Sequence, residues 1–169
     1  MVGFLVLVVL AGCGGGAKTL PTATTTKTLT VSSSAFKPGA AIPVGYSCDG
    51  TVDTPPQLSW SGVPDGTKSL AVVIQDPDAD GFVHWLVDRI PAGTTQLNGT
   101  LPAGAHQDVN GYGRDGWAPL CPPKGKGTHH YTFAVYALDG TFDPGADDLI
   151  GQMQMHALAS GTLTGTFKR

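Results

Sequence analysis

The 169-residue sequence contains no glutamate, and charged residues make up only 14% of it. Strong helix formers are scarce, whereas 24 glycines and 13 prolines punctuate the chain, so the composition favours strands and loops over helices. The 10 lysines and arginines form no cluster, which argues against a nucleic-acid partner, because binding to a phosphate backbone requires concentrated positive charge. We therefore expect a single, mainly β domain.

A membrane-spanning segment is also lacking at the start of the chain. The apolar run Val2–Leu10 is about half the roughly 20 residues that a spanning helix requires, and it is typical of a signal-peptide core. The adjoining Leu-Ala-Gly-Cys sequence ends at Cys13 and resembles the bacterial lipobox, in which cleavage before the cysteine leaves that cysteine to be lipidated. An ordinary cleavage site beside a free cysteine is the alternative.

The segment after Cys13 is dominated by Gly, Thr and Ala, a composition typical of a flexible linker. We expect residues 1–13 to form a lipoprotein signal segment, residues 14–28 a flexible tether and residues 29–169 the folded domain. Such a chain would be held in the cell envelope, at the outer face of the bacterial plasma membrane.

Two apolar runs in the middle of the chain are predicted to be strands, LAVVI (70–74) and FVHWLV (82–87). The turn-forming Asp-Pro-Asp-Ala-Asp-Gly sequence joins them. If the runs pair, Asp76 and Asp78 lie at a strand end within reach of His84. The alternative is that these residues only form a turn and that His84 is a hydrogen-bonded core residue.

The clearest strand prediction is YTFAVYAL (131–138), with His129 on the same face as Tyr131. A helix is predicted from Asp147 to Ser160, ended by Gly161. The last strand is predicted over 162–167, and no regular element is predicted between Gly104 and Thr128.

The sequence does not support either of two kinds of metal site. The run Asp76–Gly81 copies the opening of an EF-hand calcium loop, but the twelfth position, which should be a bidentate glutamate, is Val87. A transition-metal site could use the side-chain types of Asp76, Asp78, His84 and His129. The spacing of these residues matches no recognised metal-binding motif. We expect no metal and no cofactor.

An anion pocket fits these residues better. A histidine oriented by an aspartate can donate an N–H to a phosphate or carboxylate, and the amides around Gly111, Gly113 and Gly116 are candidate further donors. We predict that Trp85, Trp117 and Tyr131 line such a pocket and can hold an ammonium group by cation–π contact. For each tryptophan the alternative is that it packs in the core.

Several motifs together resemble the phosphatidylethanolamine-binding protein family, most closely its bacterial Raf-kinase-inhibitor-like branch. The strongest are DPDA (76–79), HW (84–85), PP-x-G (122–125), HHY (129–131) and F-x-VYALD (133–139). Further matches are YSCDG (46–50), SWSGVP (59–64) and GTKSL (66–70).

The resemblance implies a large central antiparallel sheet, a smaller sheet and one or two short helices. It also implies a small pocket that accepts phosphate-like or acetate-like anions. Carried over by position, the ligand-binding residues are Asp76, His84, Cys121 with its neighbours, His129 and Tyr131. The supporting residues are Asp78, Trp85, Trp117 and Pro122.

Cysteine pairing is open on the sequence alone. With Cys13 lipidated, Cys48 and Cys121 remain as a candidate disulfide or as two thiols. In the bacterial branch a cysteine also stands at the position of Cys121, which is consistent with a bridge to Cys48. The sequence Gly-Trp-Ala-Pro-Leu (116–120) departs from the family's usual Gly-Tyr-x-Gly-Pro and implies a reshaped pocket rim.

We therefore predict a non-catalytic, lipid-anchored binding protein for phosphate-type or carboxylate head groups, including phospholipid head groups. One alternative is a protein-binding inhibitor or regulator of a protease or kinase. The other is a hydrolase that uses His84 and Asp76, although no Gly-x-Ser-x-Gly elbow supports it.

Overall fold

A computed structural model describes residues 27–142 and 149–169. The predicted signal segment and nearly all of the predicted tether lie outside these residues. No helix within them is long and apolar enough to cross a membrane. The elements in chain order are β1 (Thr30–Ser33), β2 (Leu58–Ser61), β3 (Ser69–Asp76), β4 (Phe82–Pro91), β5 (Gln96–Leu97), β6 (His106–Gln107), β7 (Thr128–Leu138), α1 (Leu149–His156) and β8 (Ala157–Lys168).

The strands form two antiparallel sheets. The larger sheet has the order β6-β4-β3-β7-β8, and the smaller has the order β1-β2-β5. Thr28, the last residue of the predicted tether, forms a β-bridge with Ser160. The expectation of a mainly β fold with a large central sheet, a smaller sheet and few helices is confirmed.

Strand β3 occupies the middle of the large sheet, and all eight of its residues are buried. Its apolar side chains are continuous in sequence because both faces of the strand are covered. The main core lies on one face and contains Leu70, Val72 and Ile74 together with apolar residues of the small sheet. The second core lies on the other face and contains Ala71 and Val73 together with residues of α1.

Strand β7 follows the alternation that its sequence predicts. Phe133 and Val135 belong to the main core, whereas Ala134 and Tyr136 belong to the second core. Strand β7 pairs with β3 along one edge and with β8 along the other, so it carries the chain from the centre of the sheet to its outer strand.

The predicted helix is wrong at its C-terminal end. The helix ends at His156, and Ala157 already begins β8, which then continues to Lys168. Residues 147 and 148, predicted to begin the helix, lie outside the described residues. The helical spacing is overridden because β8 pairs with β7 over nearly its whole length, a tertiary gain that local propensity does not register.

The stretch from 104 to 128 is mostly irregular, as expected, but it contains β6 and two isolated bridges. Strand β6 pairs with β4, and bridges join Val109 to Asp115 and Ser47 to Leu120. These contacts hold the long loop near β4, and the predicted site lies at the start of that strand.

Gly161 is a strand residue at a close backbone contact and not a helix stop. A Cβ added there would collide with the carbonyl oxygen of Leu29. Gly161→Ala should therefore lower the free energy of unfolding by about 1 to 3 kcal/mol through overpacking. Urea denaturation measures this change. Gly93→Ala is the control, since no atom lies within 4 Å of a Cβ at that position. Equal stability of the two variants would contradict the explanation.

Candidate functional site

The acidic turn between β3 and β4 is folded around the carboxylate of Asp76. Its Oδ1 atom accepts a hydrogen bond from the backbone N–H of Asp78 at 3.0 Å and caps the 3-10 turn Pro77–Ala79. Asp80 then adopts a left-handed conformation with φ of 52°, which aspartate tolerates better than most residues, and Gly81 follows with positive φ. The turn thus reverses the chain and leaves Asp76, 2% exposed, at the end of β3.

A β-bulge determines where His84 points. Gln75 pairs with Val83 and Ile74 pairs with Trp85, so His84 is the extra residue of β4. Bulges re-aim side chains at the ends of sheets. Here the bulge interrupts the alternation of β4 next to the acidic turn, and His84 contacts the ring of Tyr131 edge-on, with 5.3 Å between the ring centroids.

The ring of His84 is fixed by the backbone of Ala118. The His84 Nδ1 atom lies 2.8 Å from the Ala118 carbonyl oxygen, and the Ala118 N–H donates to the His84 carbonyl, also at 2.8 Å. Because a carbonyl oxygen only accepts, Nδ1 must carry the proton, and the Nε2 atom of the neutral ring is an acceptor.

Burial lowers the pKa of His84 below its ordinary value, although the Ala118 carbonyl and the Asp76 carboxylate both oppose this shift. His129 adds to the lowering by its own charge. The imidazole of His84 is therefore neutral near pH 7 in the ligand-free protein. A ligand that brings negative charge would favour the protonated ring, in which Nε2 also becomes a donor.

The second histidine of the site is paired directly with Asp76. His129 Nδ1 lies 2.7 Å from Asp76 Oδ2, and both side chains are buried. The aspartate predicted to orient a histidine therefore orients His129, whereas a backbone carbonyl orients His84. Each ring has Nδ1 engaged with an acceptor, so the tautomer of each neutral ring is fixed.

Asp78 forms a separate, exposed pair with the neighbouring histidine. Its Oδ2 atom accepts from the backbone N–H of His130 at 2.7 Å and lies 2.8 Å from His130 Nδ1. These contacts lower the pKa of Asp78, the backbone hydrogen bond contributing most. They tie the acidic turn to β7, and the supporting role of Asp78 in ligand binding stays a prediction.

Two hydrogen-bond donors lie buried beside His84, the hydroxyl of Tyr131 and the indole Nε1 of Trp117. Neither makes a hydrogen bond of ordinary geometry within the described residues. Burial raises the pKa of Tyr131, and the Asp76 carboxylate raises it further through its charge and as a hydrogen-bond acceptor, so the hydroxyl remains neutral and able to donate. The Trp117 ring centroid lies 6.1 Å from that of His84. Buried donors are usually satisfied, so the Trp117 N–H in particular could donate to a ligand.

The remaining predicted residues have different surroundings. Trp85 is 1% exposed within the main core and donates from Nε1 to Gln107 Oε1 at 2.6 Å, so core packing is its role. Cys121 is bonded to Cys48 with an S–S distance of 2.06 Å. Its sulfur is therefore engaged, and its neighbours Trp117 and Ala118 are what reach His84. Pro122 is buried next to it.

The glycine amides were predicted as ligand donors, and two of them are already used. The Gly111 N–H donates to the carbonyl of Val83, and the Gly113 N–H donates to the carbonyl of Asn110. Gly111 is required because a Cβ there would lie 2.5 Å from the ring of Phe82. These hydrogen bonds shape the loop, so the amides of Gly111 and Gly113 are not free for a ligand.

Sequence reasoning missed Phe82 and Ala118. The Phe82 ring packs against His84, with 4.9 Å between centroids, and against the exposed ring of Tyr112 at 4.8 Å. Phe82 could have been found from its place at the start of the strand that carries His84. The contribution of Ala118 is a backbone carbonyl, for which no side-chain pattern exists.

Within residues 27–142 and 149–169, no group of three or more His, Cys, Asp or Glu side chains is arranged to hold a metal ion. The site is instead a buried cluster of one carboxylate, two imidazoles and one phenol, in which Asp76 is hydrogen-bonded to His129 and the ring of His84 contacts that of Tyr131.

The lowered pKa of His84 has a measurable effect on stability. Between the folded-state pKa and about 6.5, the unfolded chain binds more protons, so stability should fall as the pH is lowered through this window. In His84→Asn the side-chain N–H can still donate to Ala118, but the residue does not titrate. We expect the free energy of unfolding of the wild type to decline relative to this variant between pH 7 and pH 5. Urea denaturation in buffers without phosphate or carboxylate measures it, and a constant difference would contradict the assignment.

Comparison of the sequence with known proteins identifies a family. The profile of the family described as "Phosphatidylethanolamine-binding protein" matches residues 32–168. A protein of Mycobacterium tuberculosis strain H37Rv, named "Putative lipoprotein LppC", is 40% identical over 189 aligned positions, which cover 98% of this chain and 93% of that protein.

Solved structures show the same fold. The crystal structure of YbcL from Escherichia coli, described as a new member of the mammalian PEBP family, has a TM-score of 0.76 and 36% identity, covering 83% of this chain and 98% of YbcL. The PEBP homolog CT736 from Chlamydia trachomatis has a TM-score of 0.74 and 34% identity, covering 85% and 99%. The motifs, the two sheets and these matches agree, and the chain belongs to the phosphatidylethanolamine-binding protein family.

Proposed function

We propose that this protein binds a small anionic ligand, a phosphate-type or carboxylate head group, among Asp76, His84, His129 and Tyr131, and that it does so without catalysis. The observation that carries the proposal is the pair of buried donors beside His84, the Tyr131 hydroxyl and the Trp117 Nε1 atom, neither of which makes a hydrogen bond of ordinary geometry within the described residues. An oxygen of the ligand would accept a hydrogen bond from one or both of them.

The charges around the site suit a ligand that arrives with a proton or takes one up. Asp76 supplies negative charge, and His84 presents an acceptor when it is neutral. A fully deprotonated anion would therefore meet an acceptor at His84 Nε2. A phosphate monoester monoanion avoids this conflict because its O–H can donate to that nitrogen, and protonation of His84 achieves the same result. Proton uptake and ligand binding are thus linked.

The state of the cysteine nearest to the site along the chain supports binding rather than bond breaking. His84 Nδ1 is engaged with a carbonyl oxygen and His129 Nδ1 with a carboxylate, an arrangement that binding sites and catalytic sites share. Nucleophilic hydrolysis would in addition require a nucleophile activated by one of these rings. Cys121, the sulfur nearest to the site in the chain, is in a disulfide.

Export and anchoring form the second part of the proposal. Cys13 would carry lipid and hold the domain, through the segment 14–28, at the outer face of the plasma membrane. The lipobox-like Leu-Ala-Gly-Cys sequence supports this, as does the name of the M. tuberculosis relative, which covers nearly the whole chain. The disulfide is consistent with an oxidising compartment.

Tyr131→Phe tests the site separately from the fold. The variant loses a buried hydroxyl that makes no hydrogen bond of ordinary geometry within the described residues, and Asp76 keeps its hydrogen bonds to Asp78 and His129, so the melting temperature should change little. Its dissociation constant for inorganic phosphate and for phosphoethanolamine should rise by about five- to tenfold, which corresponds to one hydrogen bond. Isothermal titration calorimetry measures both constants.

Tyr136→Phe is the matched control, because Tyr136 is a buried tyrosine of the same strand that faces the second core. It should bind phosphate as the wild type does.

Wild-type affinity should fall between pH 5.5 and pH 7.5, since His84 and the ligand lose the shared proton over this range. Phosphoethanolamine should be recovered intact after prolonged incubation, as monitored by ³¹P NMR. Absence of binding to the wild type, or equal binding by Tyr131→Phe, would overturn the assigned site.

Cys13→Ser tests the anchor. When the full chain is expressed in a bacterium that processes lipoproteins, the wild type should fractionate with membranes and carry a mass increment for diacylglycerol and fatty acid. The variant should lack that increment and lose membrane association. Mass spectrometry and membrane fractionation measure the two effects. An unlipidated wild-type protein would refute the lipobox assignment.

A further inference from the structure

The two sulfurs of the Cys48–Cys121 disulfide have different surroundings. Cys48 is exposed, whereas Cys121 is half-buried. The Arg169 Nη1 atom lies 3.3 Å from Cys121 Sγ. Arg169 is held in place by Asp49, through Nε to Oδ2 at 2.7 Å and Nη2 to Oδ1 at 2.8 Å. The guanidinium of Arg169 is therefore held in contact with the sulfur of Cys121.

The same disulfide ends the segment that fixes His84. Residues 117–121 contain Ala118, whose backbone makes both hydrogen bonds to His84. Three residues later, Cys121 joins this segment to Cys48. The neighbouring Leu120 is hydrogen-bonded to the backbone next to Cys48. Its carbonyl oxygen accepts from the Cys48 N–H at 3.0 Å, and its N–H donates to the carbonyl oxygen of Tyr46 at 3.1 Å.

We propose that the disulfide is a redox control on the binding site. When oxidised, it holds the segment 117–121 against His84, and when a dithiol reduces it, the segment loosens and ligand affinity falls. The inference rests on the proposed function, because it concerns regulation of that same site.

The geometry favours one direction of thiol–disulfide exchange. A thiolate of the dithiol attacks the sulfur of Cys48, the more exposed residue of the pair, the S–S bond breaks, and Cys121 leaves as a thiolate. The adjacent guanidinium of Arg169 stabilises this leaving thiolate. The second thiol of the dithiol then attacks the mixed disulfide and releases Cys48. The dithiol is oxidised to its disulfide, and Cys48 and Cys121 end as two thiols after Cys121 takes up a proton.

The expected change is local. Leu120 is fully buried and keeps two backbone hydrogen bonds to the Tyr46–Cys48 region, so the segment stays attached at that residue after reduction and the loosening is confined to residues 117–119. Ala118 depends on the position of its segment for the contact with His84. Loss of the covalent link should therefore loosen the ring of His84 and expose it more to water, without dismantling the sheets.

Reduction of the native protein tests the proposal. The oxidised and dithiothreitol-treated wild type are compared by phosphate titration and by the NMR titration of the His84 ring, with thiol content checked by mass spectrometry and fold by circular dichroism. Reduction should raise the dissociation constant for phosphate at least about threefold. It should also move the His84 titration midpoint up, toward about 6.5. Cys48→Ser/Cys121→Ser should match the reduced wild type and be insensitive to dithiothreitol.

The role of Arg169 is tested by the rate of reduction. Arg169→Gln removes the charge beside Cys121 and should slow reduction by dithiothreitol about threefold or more, because a thiol of higher pKa is a poorer leaving group. Lys168→Gln is the control, since it removes the same charge from an adjacent exposed position. Equal rates for the two variants would overturn the proposed direction of attack.

The outcomes separate the two proposals. If both redox forms are folded and show the same phosphate affinity and the same His84 titration, the redox control is refuted. If reduction unfolds the domain, the disulfide is a stabilising cross-link only, and the proposal also fails. If the oxidised protein binds no phosphate, the proposed function fails, while the His84 titration still decides whether the disulfide and the ring are coupled.

Discussion

The site depends on the buried carboxylate of Asp76. One of its oxygens closes the turn that follows β3, and the other accepts from His129 on the neighbouring strand. A buried carboxylate is costly unless hydrogen bonds compensate it, and here each oxygen has one. The same group therefore shapes the hairpin, fixes the tautomer of a histidine and supplies negative charge beside His84. Changing it would alter local fold and chemistry together.

The two histidines are held by different kinds of acceptor. His129 is paired with the carboxylate of Asp76. His84 is paired with the neutral carbonyl of Ala118, and burial lowers its pKa. The neutral ring of His84 therefore presents Nε2 as a hydrogen-bond acceptor, beside an imidazole whose Nδ1 is already engaged by a carboxylate.

The sequence was sufficient to predict the elements that carry their own local signal. The apolar run of β3, the alternation of β7 and the acidic turn at Asp76 were all identified, because burial and turn chemistry leave direct patterns. The end of α1 was missed because pairing with β7 draws Ala157 into a strand. The Ala118 carbonyl was missed because any residue type supplies the same backbone atom.

Two of the Asp–His pairs join the acidic turn to β7, and burial distinguishes their roles. Asp78 and His130 are exposed, with side chains 43% and 56% accessible, so solvent screens their attraction and the pair adds little stability. Asp76 and His129 are buried at nearly the same separation, where water does not compete for their hydrogen bond. The exposed pair ties the turn to β7, and the buried pair fixes the orientation of His129 inside the proposed site. A ligand that reaches Tyr131 would meet the buried pair as a preorganised partner, because its orientation is already set before binding.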